Sequence, residues 1–174
     1  DYIDSDEYVI KTIRGELGTL YISQKHYIEA IDSLIRGGYW EDAAYIAERI
    51  LTINELKAYI DKTWPKAGKN DSTDGMAAPD RLRYLLARRL ARLEKWKEAR
   101  SYYPAELQGR MDVYVKTLDD GENQKLSKKQ RAAALWKGSV IARYEGMELM
   151  GTELDFDWFL YDGSSFWRSN IAGI

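Results

Sequence analysis

The residues best suited to chemistry in this chain are cationic. Positions 81–100 hold six arginines, two lysines and two glutamates, a local charge of +6, whereas the first 16 residues carry −3 and residues 152–163 carry −4. Arg81, Arg88, Arg92 and Lys95 recur at steps of seven, four and three, which sets them on one side of a helix. Such a patch suits an anionic partner, RNA or an acidic peptide. The same spacing suits a face that pairs with the acidic ends of the chain itself.

Other chemistry has little to build on. His26 is the only histidine, and it falls at a turn between two helices, where a half-exposed structural role is expected. Asp155, Asp157 and Asp162 lack the third oxygen ligand, the central glycine and the closing glutamate of a calcium loop, and residues 71–75 are equally short of ligands. Cysteine is absent, which removes disulfides, thiolate catalysis and cysteine metal sites together. No G-x-S-x-G stands beside a usable base. Gly37-Gly38 and Gly15-x-x-Gly18 lack the preceding strand that makes a phosphate loop. No catalytic residue, metal ligand or cofactor is assigned, and the chain reads as non-enzymatic. Six Trp and thirteen Tyr allow a sugar-stacking platform, but rings at helical spacing belong first to a core.

The elements that must position these residues are helices. With 174 residues, 45% of them hydrophobic, the chain suits one domain with a real core. Alternating β-branched runs are missing, and so is any apolar run of about 18 residues that would span a bilayer. A start at Asp1 without methionine suggests a piece of something longer or a processed product, and no compartment is indicated.

In order, residues 4–24 read as an amphipathic helix with Val9, Ile13, Leu17, Leu20 and Tyr21 apolar. Residues 27–36 form a second helix stopped by Gly37-Gly38. Residues 40–51 form a third, and Thr52-x-x-Glu55 has capping-box spacing, so a fourth helix restarts there or one long helix runs through. Residues 65–78, rich in Gly, Asp, Asn and Ser, read as a mobile surface loop. Residues 79–104 read as a helical hairpin, with Leu82, Leu86, Leu90 and Leu93 on one stripe and Pro104 closing it or opening the next helix. Residues 105–118 continue as helix until Asp119-Asp120-Gly121. Ser127-x-x-Gln130 caps the longest helix, to Met150, with a stripe of Ala133, Trp136, Val140, Tyr144 and Met147. Gly138 and Gly146 within it point to close helix contact or a kink.

An internal repeat runs through these helices. Tyr27-x-Glu29-Ala30, Trp40-x-Asp42-Ala43 and Trp96-x-Glu98-Ala99 share the pattern aromatic, any residue, acid, alanine. The first and third stand 69 residues apart, close to twice a period of about 34. Upstream, Leu17-Gly18-x-x-Tyr21 aligns with Leu86-Ala87-x-x-Leu90; downstream, Leu34 aligns with Tyr103. On these residues the chain resembles the tetratricopeptide repeat family, over about two units and the hairpin at Trp40. It departs from the family where Arg14 and Arg83 replace the early tryptophan and where the closing prolines are missing.

The resemblance implies an all-α fold of antiparallel helix hairpins stacked as a short solenoid. Residues 1–64 and 79–151 would form its two helical groups, and residues 152–174 an irregular aromatic-rich extension. It implies a module that binds a protein or peptide on the first helices of its units, with Arg14, Arg83, Arg88 and Arg92 as contact positions. Alternatives are an anion-binding module, for nucleic acid or acidic peptide, and a helical part of a larger enzyme or carbohydrate-binding protein. Phe156, Trp158, Phe159, Tyr161, Phe166 and Trp167 crowd the extension. They suggest either fold-back onto the last helix or self-association.

Overall fold

Three turns of this chain are built alike, and they set its architecture. In each, one residue takes the left-handed conformation: Lys25 (φ 61°), Gly38 (φ 84°) and Glu94 (φ 59°). Their N–H groups donate to the carbonyls of Ile22, Ile35 and Ala91, and the next residues, His26, Tyr39 and Lys95, donate to Tyr21, Leu34 and Leu90. This paired bonding closes a helix C-terminus and turns the chain sharply. The aromatic Tyr27, Trp40 or Trp96 then opens the next helix, and Ala30, Ala43 and Ala99 three residues on are fully buried. The aromatic-x-acid-alanine pattern therefore marks a recurring turn with a buried alanine behind it.

The structure is a computed structural model that describes residues 5–66 and 76–153. The described residues form α1 (Ser5–Ser23), α2 (Tyr27–Gly37), α3 (Trp40–Tyr45), α4 (Ile53–Thr63), α5 (Ala78–Ala91), α6 (Trp96–Ala99), α7 (Ala105–Glu122) and α8 (Lys128–Met150). A π-helical segment, Ile46–Ile50, extends α3, and a 3-10 turn, Arg100–Tyr102, extends α6. The fold is all-α. Residues 1–4, 67–75 and 154–174, which hold most of the expected loop 65–78 and of the extension 152–174, lie outside the described residues, and Ala78 already belongs to α5.

α5 is the hub. Leu82, Leu85, Leu86 and Leu90 are fully buried, and the helix touches α3, the π segment, α4, α6, the 3-10 turn and α8. One continuous core joins Ala30, Leu34, Trp40 and Leu56 on one side of it to Tyr103, Leu107, Met111 and Leu149 on the other. Leu93 departs from the expected stripe: α5 ends at Ala91, so Leu93 falls in the turn and is exposed. Two capping boxes form, at Thr52 with Glu55 and at Ser127 with Gln130, so α4 is a separate helix. Pro104 opens α7.

The pairing faces of α1, α7 and α8 differ from their apolar stripes. α1 packs on α2 through glycine: a Cβ added to Gly18 would lie 2.6 Å from Leu34 Cγ, and one at Gly15 would lie 2.5 Å from the Tyr39 ring. Leu17 therefore faces outward with Val9, Ile13 and Leu20. α7 does not stop at Asp119-Asp120-Gly121, because Gly121 is a packing position, 2.4 Å from Leu135 Cδ2 by the same measure. Gly138 meets Thr117 on α7, whereas Gly146 meets nothing. The stripe Trp136, Val140, Tyr144, Met147 is left in solvent.

Candidate functional site

The expected contact residues Arg14, Arg83, Arg88 and Arg92 do not form one free surface. Arg14, Arg83 and Arg92 donate to backbone carbonyls at or near helix ends, and Arg88 pairs with the Glu153 carboxylate. Arg14 Nη1 donates to the Arg36 carbonyl at the end of α2 (2.9 Å). Arg83 donates to the carbonyls of Trp64 (3.0 Å), at the end of α4, and Ser101 (3.1 Å), with its guanidinium over the Tyr102 ring. Arg92 takes the carbonyls of Met150 (3.0 Å) and Gly151 (2.7 Å) and pairs with Glu48. The last carbonyls of a helix have no partner within it, and a planar fork of N–H donors suits them well. The Tyr84 and Tyr103 hydroxyls complete the set, donating to Glu148 and Leu149 at the end of α8.

Arg81 and Arg88 do share a side of α5, and there they share Glu153. Arg81 also lies 4.1 Å above the Trp40 ring, whose Nε1 donates to the same carboxylate (3.2 Å). Glu153, just after α8, thus supplies counter-charge to Arg81 and Arg88. Arg83 and Arg88 are buried, and an anion reaching Arg88 would have to displace Glu153. Arg89 donates to Ala47 in the π segment, and burial lowers its pKa.

A different site opens where the end of α1 meets α2 and α4. Tyr21, Ile28, Glu29, Asp32, Tyr59 and Lys62 are among the residues around a groove of about 540 Å³. Its floor is held firmly. Tyr59 Oη donates to Asp32 Oδ1 (2.9 Å), Arg36 Nε donates to Asp32 Oδ2 (2.9 Å), and the Tyr59 ring meets Trp64 edge-on at 5.2 Å. Burial pushes the Asp32 carboxyl up, but the hydrogen bonds from Arg36 and Tyr59 outweigh it and hold the pKa below the ordinary value. Burial and the neighbouring Asp32 raise the Tyr59 pKa, so its hydroxyl stays a donor. The Asp32 charge is met by Arg36, and Glu29 and Glu55 outnumber Lys62 around the rest of the groove, which gives it a negative rim beside the Tyr21 and Tyr59 rings.

This groove is not evident in the sequence, where Tyr21 stands out only as an apolar helix position and a repeat position. The available signal was the Asp32-x-x-x-Arg36 pair beside Glu29 on α2, facing the Tyr59 to Trp64 aromatics of α4. His26 is exposed, with its ring 6.2 Å from that of Tyr21. Among the described residues no three His, Asp or Glu side chains converge as metal ligands. No described helix is long and apolar enough to cross a membrane. Comparison of the chain with family models, curated proteins and solved structures returns no match.

Proposed function

We propose that the chain is a non-enzymatic interaction module of the tetratricopeptide-repeat type, and that the groove between α1, α2 and α4 receives a short peptide through a Lys or Arg side chain. The groove itself carries this reading. Its volume suits a side chain with part of its backbone, since ligand sites run from about 300 to 1,000 Å³. Aromatic rings below and carboxylates at the rim match an aliphatic stem with a cationic head. The recurrence of one turn geometry at positions 25 and 94 supports the repeat reading. The groove joins the end of α1 to α2 and α4, whereas α5, the first helix of the second unit in the repeat reading, is buried in the core.

The anion-binding alternative is less favoured, because Arg81 and Arg88 already hold Glu153, and Arg92 holds Glu48 and two carbonyls. The test is a titration with a short Leu- and Lys-containing peptide and its Glu-containing counterpart. The Lys peptide should bind saturably, more weakly as salt rises. Glu29→Lys should weaken it about tenfold with the thermal melt unchanged, since Glu29 is exposed and in no ion pair among the described residues. Equal binding of both peptides, or no effect of Glu29→Lys, would count against the reading.

A further inference from the structure

The first and last described helices both turn an apolar stripe to solvent. On α1, Val9, Ile13, Leu17 and Leu20 are between 37% and 59% exposed; on α8, Trp136, Val140, Tyr144 and Met147 are between 38% and 75% exposed. Both stripes advance by four, four and three residues, so their ridges share a pitch. Neither is covered by the described residues, because α1 meets α2 through Gly15 and Gly18, and α8 meets α7 through Leu135 and Gly138. The shapes differ in a complementary way: bulky rings on α8, compact aliphatic side chains on α1.

Charge points to which surface meets which. α1 carries three acids against two bases, while α8 carries five bases against two acids. Pairing α8 with another α8 sets like charge against like, whereas pairing it with α1 sets opposite charge alongside two apolar stripes. The two aromatic rings of α8 alone bring roughly 150–250 Å² each towards the ~800 Å² per partner of a stable interface.

We infer that α8 of one copy of this chain takes up α1 of a second copy, head to tail. The two surfaces are different, so each pairing leaves one free α1 and one free α8. Such a contact adds copies in line or closes a ring of more than two; it does not stop at a symmetric dimer. The groove beside Tyr21 opens between α2 and α4, so each copy in the array carries its own.

Sedimentation velocity of the full chain tests this. The weight-average mass should climb with concentration and fall as salt is raised. Ile13→Glu spoils the α1 stripe and Tyr144→Glu the α8 stripe; both positions are exposed, so both variants should keep the parent melt. Each variant alone should lose self-association by about tenfold or more. Mixed in equal amounts, they should form a one-to-one pair that grows no further, using the intact α8 of the first and the intact α1 of the second. Self-association of Ile13→Glu at the parent level would overturn the inference in favour of α8 on α8. A monomeric full chain that associates only after shortening beyond Glu153 would overturn it too, placing residues 154–174 on α8. Failure of the mixed variants to pair would overturn the head-to-tail contact itself.

Discussion

Glu153 stands among Arg81, Arg88 and the Trp40 indole, and it decides how the basic helix is read. Arg88 is buried, so Glu153→Gln should cost about 3–5 kcal/mol, the penalty for leaving a buried charge unpaired. Adding Arg88→Met should recover part of that loss, as chemical denaturation of the single and double variants would show. Titration gives a second handle at this scale. Asp32 and Asp61 are both held below the ordinary carboxylate pKa: burial raises each, but Arg36 and Tyr59 outweigh it at Asp32, and Lys57 and Tyr102 at Asp61. The unfolded chain takes up these protons first, so their contribution is full above pH ~4 and is lost as pH falls through the lowered folded values. Asp32→Asn should flatten that acid limb. Tyr84 runs the other way. Burial raises its pKa to about 12, so its contribution is full below pH ~10 and fades as pH rises towards the folded value. The arginine count was legible in the sequence, but its use was not. The acceptors at Glu48 and at the end of α8 lie 44 to 65 residues away, and no local spacing reveals them.

At the scale of elements, the turn residues make the sharpest forecast. Glu94 sits in the left-handed region, where a side chain costs about 1–2 kcal/mol. Glu94→Gly should therefore stabilise the α5–α6 turn by up to about 1 kcal/mol, while Gly38→Ala should lose a similar amount. Thermal denaturation of the two variants should move in opposite directions. Ala99→Leu, at a fully buried alanine behind the same turn, should cost about 1–3 kcal/mol by overpacking. Turns and caps were readable because their signals are local: Gly37-Gly38, Thr52 with Glu55, Ser127 with Gln130. The faces of α1 and α8 were not. Periodicity identifies an apolar stripe, but Gly15, Gly18 and Gly138 draw neighbours to the other side, where backbones approach closely. The π segment was equally hidden, since Ile46–Ile50 reads as ordinary helix. It carries the Ala47 carbonyl that Arg89 takes and the Glu48 that Arg92 pairs with. π segments often occur at such special contacts.

At the scale of the molecule, one buried helix organises everything around it, and the surfaces left for partners lie away from it. The all-α class, the hairpin at residues 79–104 and its central place followed from the leucine spacing and the repeat. The groove did not, because it joins side chains from α1, α2 and α4 that only the turns at Lys25 and Gly38 bring together. The central claim is that a partner is met at this acidic, aromatic groove and not at the arginines of α5. Backbone amide chemical-shift mapping tests it most directly, with the Lys-containing peptide and a polyanion titrated separately into the full chain. The account predicts that the peptide shifts the amides of Tyr21, Ile28, Glu29, Tyr59 and Lys62, and that the polyanion leaves residues 81–92 unmoved. Saturable shifts centred on Arg81, Arg88 and Arg92 with the polyanion, and none around the groove with the peptide, would contradict it.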